Sequence, residues 1–87
     1  MLYFDIETDG LLDTLTTLHC MCIYDDETEK MYRYNPNTVS NGVKKLIKAL
    51  YNNVKICGHN IINFDIPALE KLYPDFKVPY KQYLYYL

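Results

Sequence analysis

The sequence predicts a small α/β domain in which a mixed sheet packs against helices. The chain has 87 residues, of which 49% are hydrophobic, and this length suits one compact core. Apolar and polar residues alternate from residue 2 to residue 7, which is typical of a strand with one buried face. From residue 43 to residue 50 the apolar residues recur instead at helical spacing, which indicates an amphipathic helix.

The first predicted strand carries two acids in an otherwise apolar run. Leu2, Phe4 and Ile6 fall on one face of this strand and are expected to enter the core. Asp5 and Glu7 share the opposite face, with their Cα atoms roughly 6–7 Å apart because each strand residue adds ~3.3 Å. An apolar strand has no structural use for such acids, so the pair is a candidate functional feature.

Residues 16–24 and 29–34 are expected to form a hairpin around a polar turn. Both faces of the first of these strands are largely apolar, which is typical of a central strand covered on two sides. Cys20, Cys22 and Cys57 form no CxxC motif and no even set. We therefore expect buried free thiols and a reducing compartment.

The clearest predicted helix follows a polar break at residues 35–37. Ser40 or Asn41 is its expected N-cap. Its lysines are expected to form a solvated face, with phosphate contacts as the alternative. The apolar stripe of this helix consists of Val43, Leu46, Ile47 and Leu50.

A short buried strand at residues 54–58 and a second helix at residues 64–73 complete the predicted elements. Pro67 fits this helix only in its first turn, where a missing backbone N–H is tolerated. The segment 80–87 could begin a strand or a helix, or form an exposed tail. We therefore predict a domain over residues 1–79 and leave the remainder without an assigned structure.

Charge and hydropathy exclude several classes of protein. The net charge of −2 is not that of a globally basic nucleic-acid binder, although bound cations could make an acidic site attractive to phosphate. The chain shows no signal peptide, and no segment approaches the ~18 apolar residues of a membrane span. We expect a cytoplasmic protein with no membrane partner.

A third acid, Asp65, is expected at the start of the second helix. Alone it could simply cap that helix, because a helix N-terminus favours negative charge. If the strand that ends at Gly58 lies beside the first strand, however, Asp65 reaches the same sheet edge as Asp5 and Glu7. Clustered carboxylates repel one another unless a cation lies among them, and Mg²⁺ or Mn²⁺ prefers all-oxygen ligands of this kind. The nearby His59 is expected to be a structural hydrogen-bonding residue rather than a catalytic one.

Two motifs resemble those of the DEDD (DnaQ-like) 3′–5′ exonucleases. Residues 5–8, Asp-Ile-Glu-Thr, are similar to the first exonuclease motif, Asp-x-Glu-Thr. Residues 60–65, Asn-Ile-Ile-Asn-Phe-Asp, are similar to the second, Asn-x-x-x-(Phe/Tyr)-Asp. The context at residues 10–12, 19–20, 58–60 and 65–69 resembles the N-terminal proofreading domain of family A DNA polymerases from short-tailed phages. If a phage encodes this chain, the expected location is the host cytoplasm.

The resemblance implies a ribonuclease H-like fold, in which a three-strand antiparallel meander precedes parallel strands and helices. It also implies two-metal hydrolysis, with Mg²⁺ or Mn²⁺, of the terminal phosphodiester at the 3′ end of single-stranded DNA. Asp5 would bridge both metals, Glu7 would hold one and touch the terminal 3′-hydroxyl, and Asp65 would serve the second through water. Leu12 could contact a terminal base, although simple packing is an equal alternative for it. The expected substrate-binding residues are Thr8, Leu12, Asn60 and Phe64.

The third motif of that family, a Tyr or His with a fourth metal-binding Asp, is not found after Asp65. Tyr80, Tyr83, Tyr85 and Tyr86 are not followed by an Asp three or four residues later. We therefore expect the front half of an exonuclease domain, without its last strand and last acid, and inactive unless a downstream polymerase segment completes it. Self-association through an open sheet edge is also expected. The alternative is a non-catalytic module that keeps the fold for nucleic-acid binding or polymerase association.

Overall fold

A computed structural model describes residues 1–77 and 83–85, which form a mixed sheet and two α-helices. The described strands lie in the order β3-β2-β1-β4-β5. The first three form an antiparallel meander, while β4 runs parallel to β1 and β5 runs parallel to β4. The predicted α/β class is therefore confirmed. The elements in chain order are β1 (Leu2–Thr8), β2 (Leu18–Asp25), β3 (Lys30–Tyr34), α1 (Val39–Tyr51), β4 (Ile56–Gly58), a π-helical turn (Ile61–Asp65), α2 (Ile66–Leu72) and β5 (Tyr83–Tyr85).

The core lies between one face of the sheet and the helices. Leu2, Phe4 and Ile6 are at most 6% exposed, so the alternation in the sequence identified the buried face of β1 correctly. Most of the predicted α1 stripe is buried as well, and Ile47 packs against the core while partly exposed. Burying an aliphatic side chain of this size contributes about 1.5–3 kcal/mol, so this layer dominates the stability of the domain.

Helix α1 approaches the sheet most closely at Gly42. A Cβ atom at this position would lie 2.8 Å from both the Met21 sulfur and the Tyr34 ring, so any side chain here would push against the sheet. One turn away, the Lys45 ammonium lies 4.2 Å from the centre of the Tyr32 ring, in a cation–π contact. Neither α-helix in the described part of the chain has the length or the apolar content of a membrane span.

The start of α1 differs from the predicted one. Val39 is its first residue and Thr38 precedes it, so Ser40 and Asn41 lie within the first turn and neither is the N-cap. The hydroxyl of Thr38 instead accepts a hydrogen bond of 2.9 Å from the backbone N–H of Asn35. The prediction of Ser40 or Asn41 as N-cap is wrong. Polar side chains before a helix can bond to the backbone of the preceding turn instead of capping the helix.

The face of β2 opposite the core stays open in the described residues. Cys22 is exposed and Cys20 is partly exposed, whereas Cys57 is buried, and all three are free thiols. The predictions that β2 is covered on both sides and that every cysteine is buried are therefore wrong. They failed because an apolar side chain indicates compatibility with burial, not burial itself. An irregularity in register between Glu7 and Thr8 also turns Leu18 toward the core.

The sequence left a strand, a helix and an exposed tail open for the segment 80–87, and part of this segment forms the fifth strand. Tyr83–Tyr85 pairs in parallel with β4, so the expectation that the sheet lacks its last strand is wrong. The other residues of the segment 80–87 lie outside the described residues. The domain boundary between 1–79 and 80–87 therefore stays a prediction.

Candidate active site

Asp5 and Glu7 lie on the open face of β1, where both are exposed. Their partners across the antiparallel pair with β2 are Cys22 and Cys20, respectively. Partial burial and then the neighbouring charge of Glu7 raise the pKa of the Cys20 thiol, so this thiol remains protonated at neutral pH. A protonated thiol is a poor metal ligand, so the Glu7 side of this face offers carboxylate oxygen rather than sulfur.

The turn between β4 and α2 brings Asp65 back toward β1. β4 pairs directly with β1, which is the arrangement that the site prediction required. The carbonyl oxygen of Asn60 then accepts hydrogen bonds from the N–H groups of Phe64 at 3.0 Å and Asp65 at 3.1 Å. The second bond spans five residues and makes the turn π-helical, a geometry frequent at functional sites. α2 begins directly after Asp65 and takes Pro67 into its first turn, as predicted.

Asp65 is buried and its carboxylate is not fully hydrogen-bonded. The residue is only 4% exposed, it makes no side-chain capping bond to α2, and its Oδ2 atom has no hydrogen-bond partner. Burial and then the negative charge of Asp5 raise the pKa of Asp65 to about 6, against the opposing influence of His59 and the Asn60 backbone. The capping interpretation therefore does not account for Asp65, and the repulsion shows that Asp5 lies within electrostatic reach of it.

These carboxylates meet part of what a divalent cation requires. A cation would satisfy the unpaired Oδ2 atom of Asp65 and would relieve its repulsion with Asp5, and an all-oxygen pair suits Mg²⁺ or Mn²⁺. Within residues 1–77 and 83–85, however, no group of three or more His, Cys, Asp or Glu side chains is arranged to hold a metal ion. The pair thus forms the centre of a candidate site that needs a further ligand or a movement of Glu7.

The two predicted substrate residues that follow the acidic pair are both partly buried. The Thr8 hydroxyl donates a hydrogen bond of 2.7 Å to the Gly10 carbonyl oxygen, which orders the start of the loop. Leu12 is partly buried and packs against the core. Its neighbour Leu11 is 77% exposed, so the loop after β1 presents one large apolar side chain to solvent. The sequence does not distinguish Leu11 from Leu12, because two adjacent leucines give no signal of which one faces solvent.

The loop that carries Leu11 is tied down at its base by Asp9. The Asp9 carboxylate accepts hydrogen bonds from the backbone N–H groups of Thr16 and Thr17, at 2.8 and 3.0 Å, and from the Thr16 hydroxyl. These bonds, the hydroxyl of Thr16 first, lower the pKa of Asp9 to about 2. Lys71 of α2 also donates a 3.0 Å hydrogen bond to the Leu12 carbonyl oxygen, farther along the loop. The loop is therefore held at two points.

The two predicted substrate residues of the second motif contribute in different ways. The side chain of Asn60 is exposed, and its backbone carbonyl organises the π turn. Phe64 is partly buried and packs against the core, so it supports the turn that holds Asp65. His59 is exposed and acts on Asp65 through its charge.

Asp5 also borders a shallow cavity of about 290 Å³ on the open face of the sheet. Its wall includes Tyr3 and Tyr24, whose rings lie 6.4 Å apart between centres. Met31, which is 48% exposed, and His59 also line this cavity. An aromatic surface therefore adjoins the carboxylates.

Comparison with known proteins identifies the family. A family model described as the RNase_H superfamily matches residues 2–87. The chain belongs to the RNase H superfamily. It is also 35% identical to the DNA-directed DNA polymerases of Escherichia phage T7 and Enterobacteria phage T3, in each case over 72 residues, or 83% of this chain. The matched part is only 10% of the length of either relative.

Membership of the RNase H superfamily confirms the resemblance drawn from the two motifs. The sheet of the RNase H-like domain places Asp5 and Glu7 on its central strand β1, and the turn after the adjacent strand β4 places the Asp65 carboxylate beside Gly58 at the end of β4. Carboxylates supplied by neighbouring strands in this way can hold cations that act on phosphodiesters. The domain is thus an RNase H-like domain with acids on neighbouring elements of its sheet.

Proposed function

We propose that the chain is the metal-binding half of a 3′–5′ exonuclease domain that proofreads DNA within a polymerase lineage. The observation that carries this proposal is the buried, unpaired carboxylate oxygen of Asp65, held within electrostatic reach of Asp5. A fold that leaves such an oxygen unsatisfied needs an outside partner for it, since a buried polar atom without one is costly. The family and the phage polymerase relatives support a cation beside a DNA 3′ end as that partner.

The proposed cation ligands are Asp5, Glu7 and Asp65. Asp5 is exposed on the central strand and can bind both cations. Glu7, on the same face, can hold one cation and contact the terminal 3′-hydroxyl. Asp65 approaches from the other side and serves the second position. When bound, Mg²⁺ or Mn²⁺ would stabilise negative charge on the attacking and leaving oxygens during hydrolysis.

The proposed substrate is the 3′ end of single-stranded DNA. Thr8, Asn60 and Phe64 order the backbone around the carboxylates, and Leu12 packs beneath the loop. The exposed side chain of Leu11 is better placed than that of Leu12 to contact a terminal base, because it is 77% exposed. The aromatic wall of the adjacent cavity offers faces on which bases can stack.

We expect cation binding to be weak and cleavage by the 87-residue chain to be negligible. The candidate ligands do not form a three-residue cluster in the described residues, and the sequence holds no third motif to position the attacking water. Removing such groups forfeits several kcal/mol of transition-state stabilisation. Robust Mn²⁺-dependent release of nucleotides from single-stranded DNA, abolished by Asp5→Ala, would show this expectation to be wrong.

Calorimetric titration with Mn²⁺ tests the proposed cation site. Wild type should bind Mn²⁺, and Asp5→Ala should bind it measurably more weakly. Glu27→Ala is a matched control, because Glu27 is an exposed acid in the hairpin turn between β2 and β3. If wild type and Asp5→Ala give the same isotherm while both bind, Asp5 is not a ligand and the proposal fails.

A second candidate is a non-catalytic module that binds nucleic acid or associates with a polymerase. The absence of a three-ligand cluster among the described residues favours it. Fluorescence anisotropy with a single-stranded oligonucleotide separates the two functions. The module should bind equally well in EDTA and in Mn²⁺ and should be indifferent to Asp5→Ala, whereas the exonuclease half should bind the 3′ end more tightly with the cation.

A further inference from the structure

Gly58, the last residue of β4, lies directly beside the candidate site. A Cβ atom built on it would lie 3.0 Å from the Oδ2 atom of Asp65, 3.4 Å from the Cβ atom of Ile61 and 3.4 Å from the Phe4 carbonyl oxygen. β1, β4 and the π turn therefore converge on a space that a single methyl group would fill. The Oδ2 atom of the Asp65 carboxylate borders this space.

The backbone conformation does not require glycine at this position. No glycine in the described residues has a positive φ angle, so alanine could adopt the backbone conformation of Gly58 without strain. What the position uses is the missing side chain, which permits a close approach. The atom that approaches is the same Oδ2 atom that lacks a hydrogen-bond partner.

Of the three atoms near the Cβ position of residue 58, only the carboxylate oxygen of Asp65 can move aside readily. The Phe4 oxygen belongs to the backbone of the central strand, and Ile61 is fully buried in the core. The backbone of Asp65 is fixed by its hydrogen bond to Asn60, whereas its side chain can respond by changing its χ1 rotamer. A methyl group on residue 58 would therefore turn the carboxylate away from β1.

We propose that Gly58 is a positioning residue that seats the Asp65 carboxylate against β1, within reach of Asp5. It does so by leaving empty the space that any other residue would fill. That this position of the carboxylate serves cation binding rests on the proposed function. The seating itself can be measured without a cation.

A double-mutant cycle without cation tests the contact between the two residues. Gly58→Ala should lower the thermal unfolding midpoint of the wild-type chain, because the new methyl group meets the carboxylate. In an Asp65→Ala background the carboxylate is gone, so the same substitution should have a clearly smaller effect. Additive effects of the two substitutions would overturn the proposal, because the cost would then come from Ile61 or Phe4 alone.

Mn²⁺ titration tests the consequence of the seating. Gly58→Ala should weaken Mn²⁺ binding by about 10–100-fold, the usual effect of removing a group that orients a metal ligand. Gly42→Ala is the matched control, because it also places a methyl group in a tight contact but lies in α1 against Met21 and Tyr34. This control should lower stability and leave Mn²⁺ affinity unchanged. Unchanged affinity in a folded Gly58→Ala would overturn the proposal.

The two experiments separate this inference from the proposed function. If the wild-type chain binds no Mn²⁺, the proposed function fails, and the double-mutant cycle alone decides whether Gly58 seats Asp65. If wild type binds Mn²⁺ and the cycle is additive, the proposed function stands and the role of Gly58 is refuted.

Discussion

Replacing Asp65 by asparagine should stabilise the cation-free domain at neutral pH. Asparagine keeps the shape of the side chain and resembles the protonated acid, but it cannot ionise. Burial and the charge of Asp5 raise the pKa of Asp65 from 3.8 to about 6 in the folded chain. Each pKa unit corresponds to about 1.4 kcal/mol, so keeping Asp65 ionised at pH 7 costs the native state about 2–3 kcal/mol.

The pH dependence of this effect has a definite sign. Because the pKa of Asp65 is higher in the folded chain than in the unfolded chain, folding favours the protonated acid. The stability that this proton contributes is fully present below pH 3.8 and is lost as the pH rises through about 6. Wild type and Asp65→Asn should therefore have similar stabilities in acid and diverge across this window.

Urea unfolding followed by circular dichroism, in EDTA at pH 4 and at pH 7, measures the difference in free energy of unfolding between Asp65→Asn and wild type. Asp13→Asn serves as control, because Asp13 is an exposed acid in the loop after β1 and should change little. Adding Mn²⁺ should narrow the gap, since a ligand that binds only the native wild type stabilises it by mass action. The reasoning is refuted if Asp65→Asn is less stable than wild type at pH 7 in EDTA, or if the gap does not depend on pH.

Three further substitutions test other parts of the structure. Gly42→Ala should gain about 1 kcal/mol of helix propensity, but the new methyl group overpacks the contact with Met21 and Tyr34, which costs about 1–3 kcal/mol. The thermal midpoint should therefore fall, and a rise would mean that both side chains move aside at little cost. Asp9 has its pKa lowered to about 2, so it stabilises the fold above pH ~4 and loses this contribution as the pH falls toward 2. Asp9→Asn should therefore be less stable than wild type at neutral pH, and acid unfolding followed by circular dichroism should show a smaller loss of stability between about pH 4 and pH 2. Superimposable acid transitions of the two chains would contradict this role of Asp9. Glu29 has a φ of 58°, so Glu29→Gly should raise the free energy of unfolding in urea by about 1 kcal/mol, and no gain would show that the turn carries no strain.

Regular patterns made much of the fold and of the site predictable. The alternation in β1 fixed which residues enter the core, and this in turn fixed the face that carries Asp5 and Glu7. The periodicity of α1 identified its buried stripe. The position of Asp65 followed from one topological condition, that β4 lie beside β1, because a turn after β4 then returns to the edge where the acids lie.

The features that the sequence did not reveal depend on contacts between distant residues. β5 consists of three residues in a tyrosine-rich segment and forms only because β4 offers it a parallel edge. The openness of the sheet face at Cys22 depends on what packs against it, which an apolar side chain does not specify. The need for glycine at Gly58 is likewise invisible locally, since its backbone conformation is an ordinary one and the reason lies in the Asp65 carboxylate.

The cost of burying Asp65 also separates the two candidate functions. A loss of about 2–3 kcal/mol of folding stability is a large part of the 5–15 kcal/mol that stabilises a typical domain. Buried charged groups that destabilise a fold this much are most often found at functional sites. In a module that needs only its fold, neutralising Asp65 should be beneficial at neutral pH whether or not Mn²⁺ is present. In a cation site, the benefit should vanish when Mn²⁺ is present, because the ion then compensates both the unpaired oxygen and the repulsion from Asp5. The stability of Asp65→Asn relative to wild type, measured with and without Mn²⁺, therefore distinguishes the two functions even if the chain never cleaves DNA.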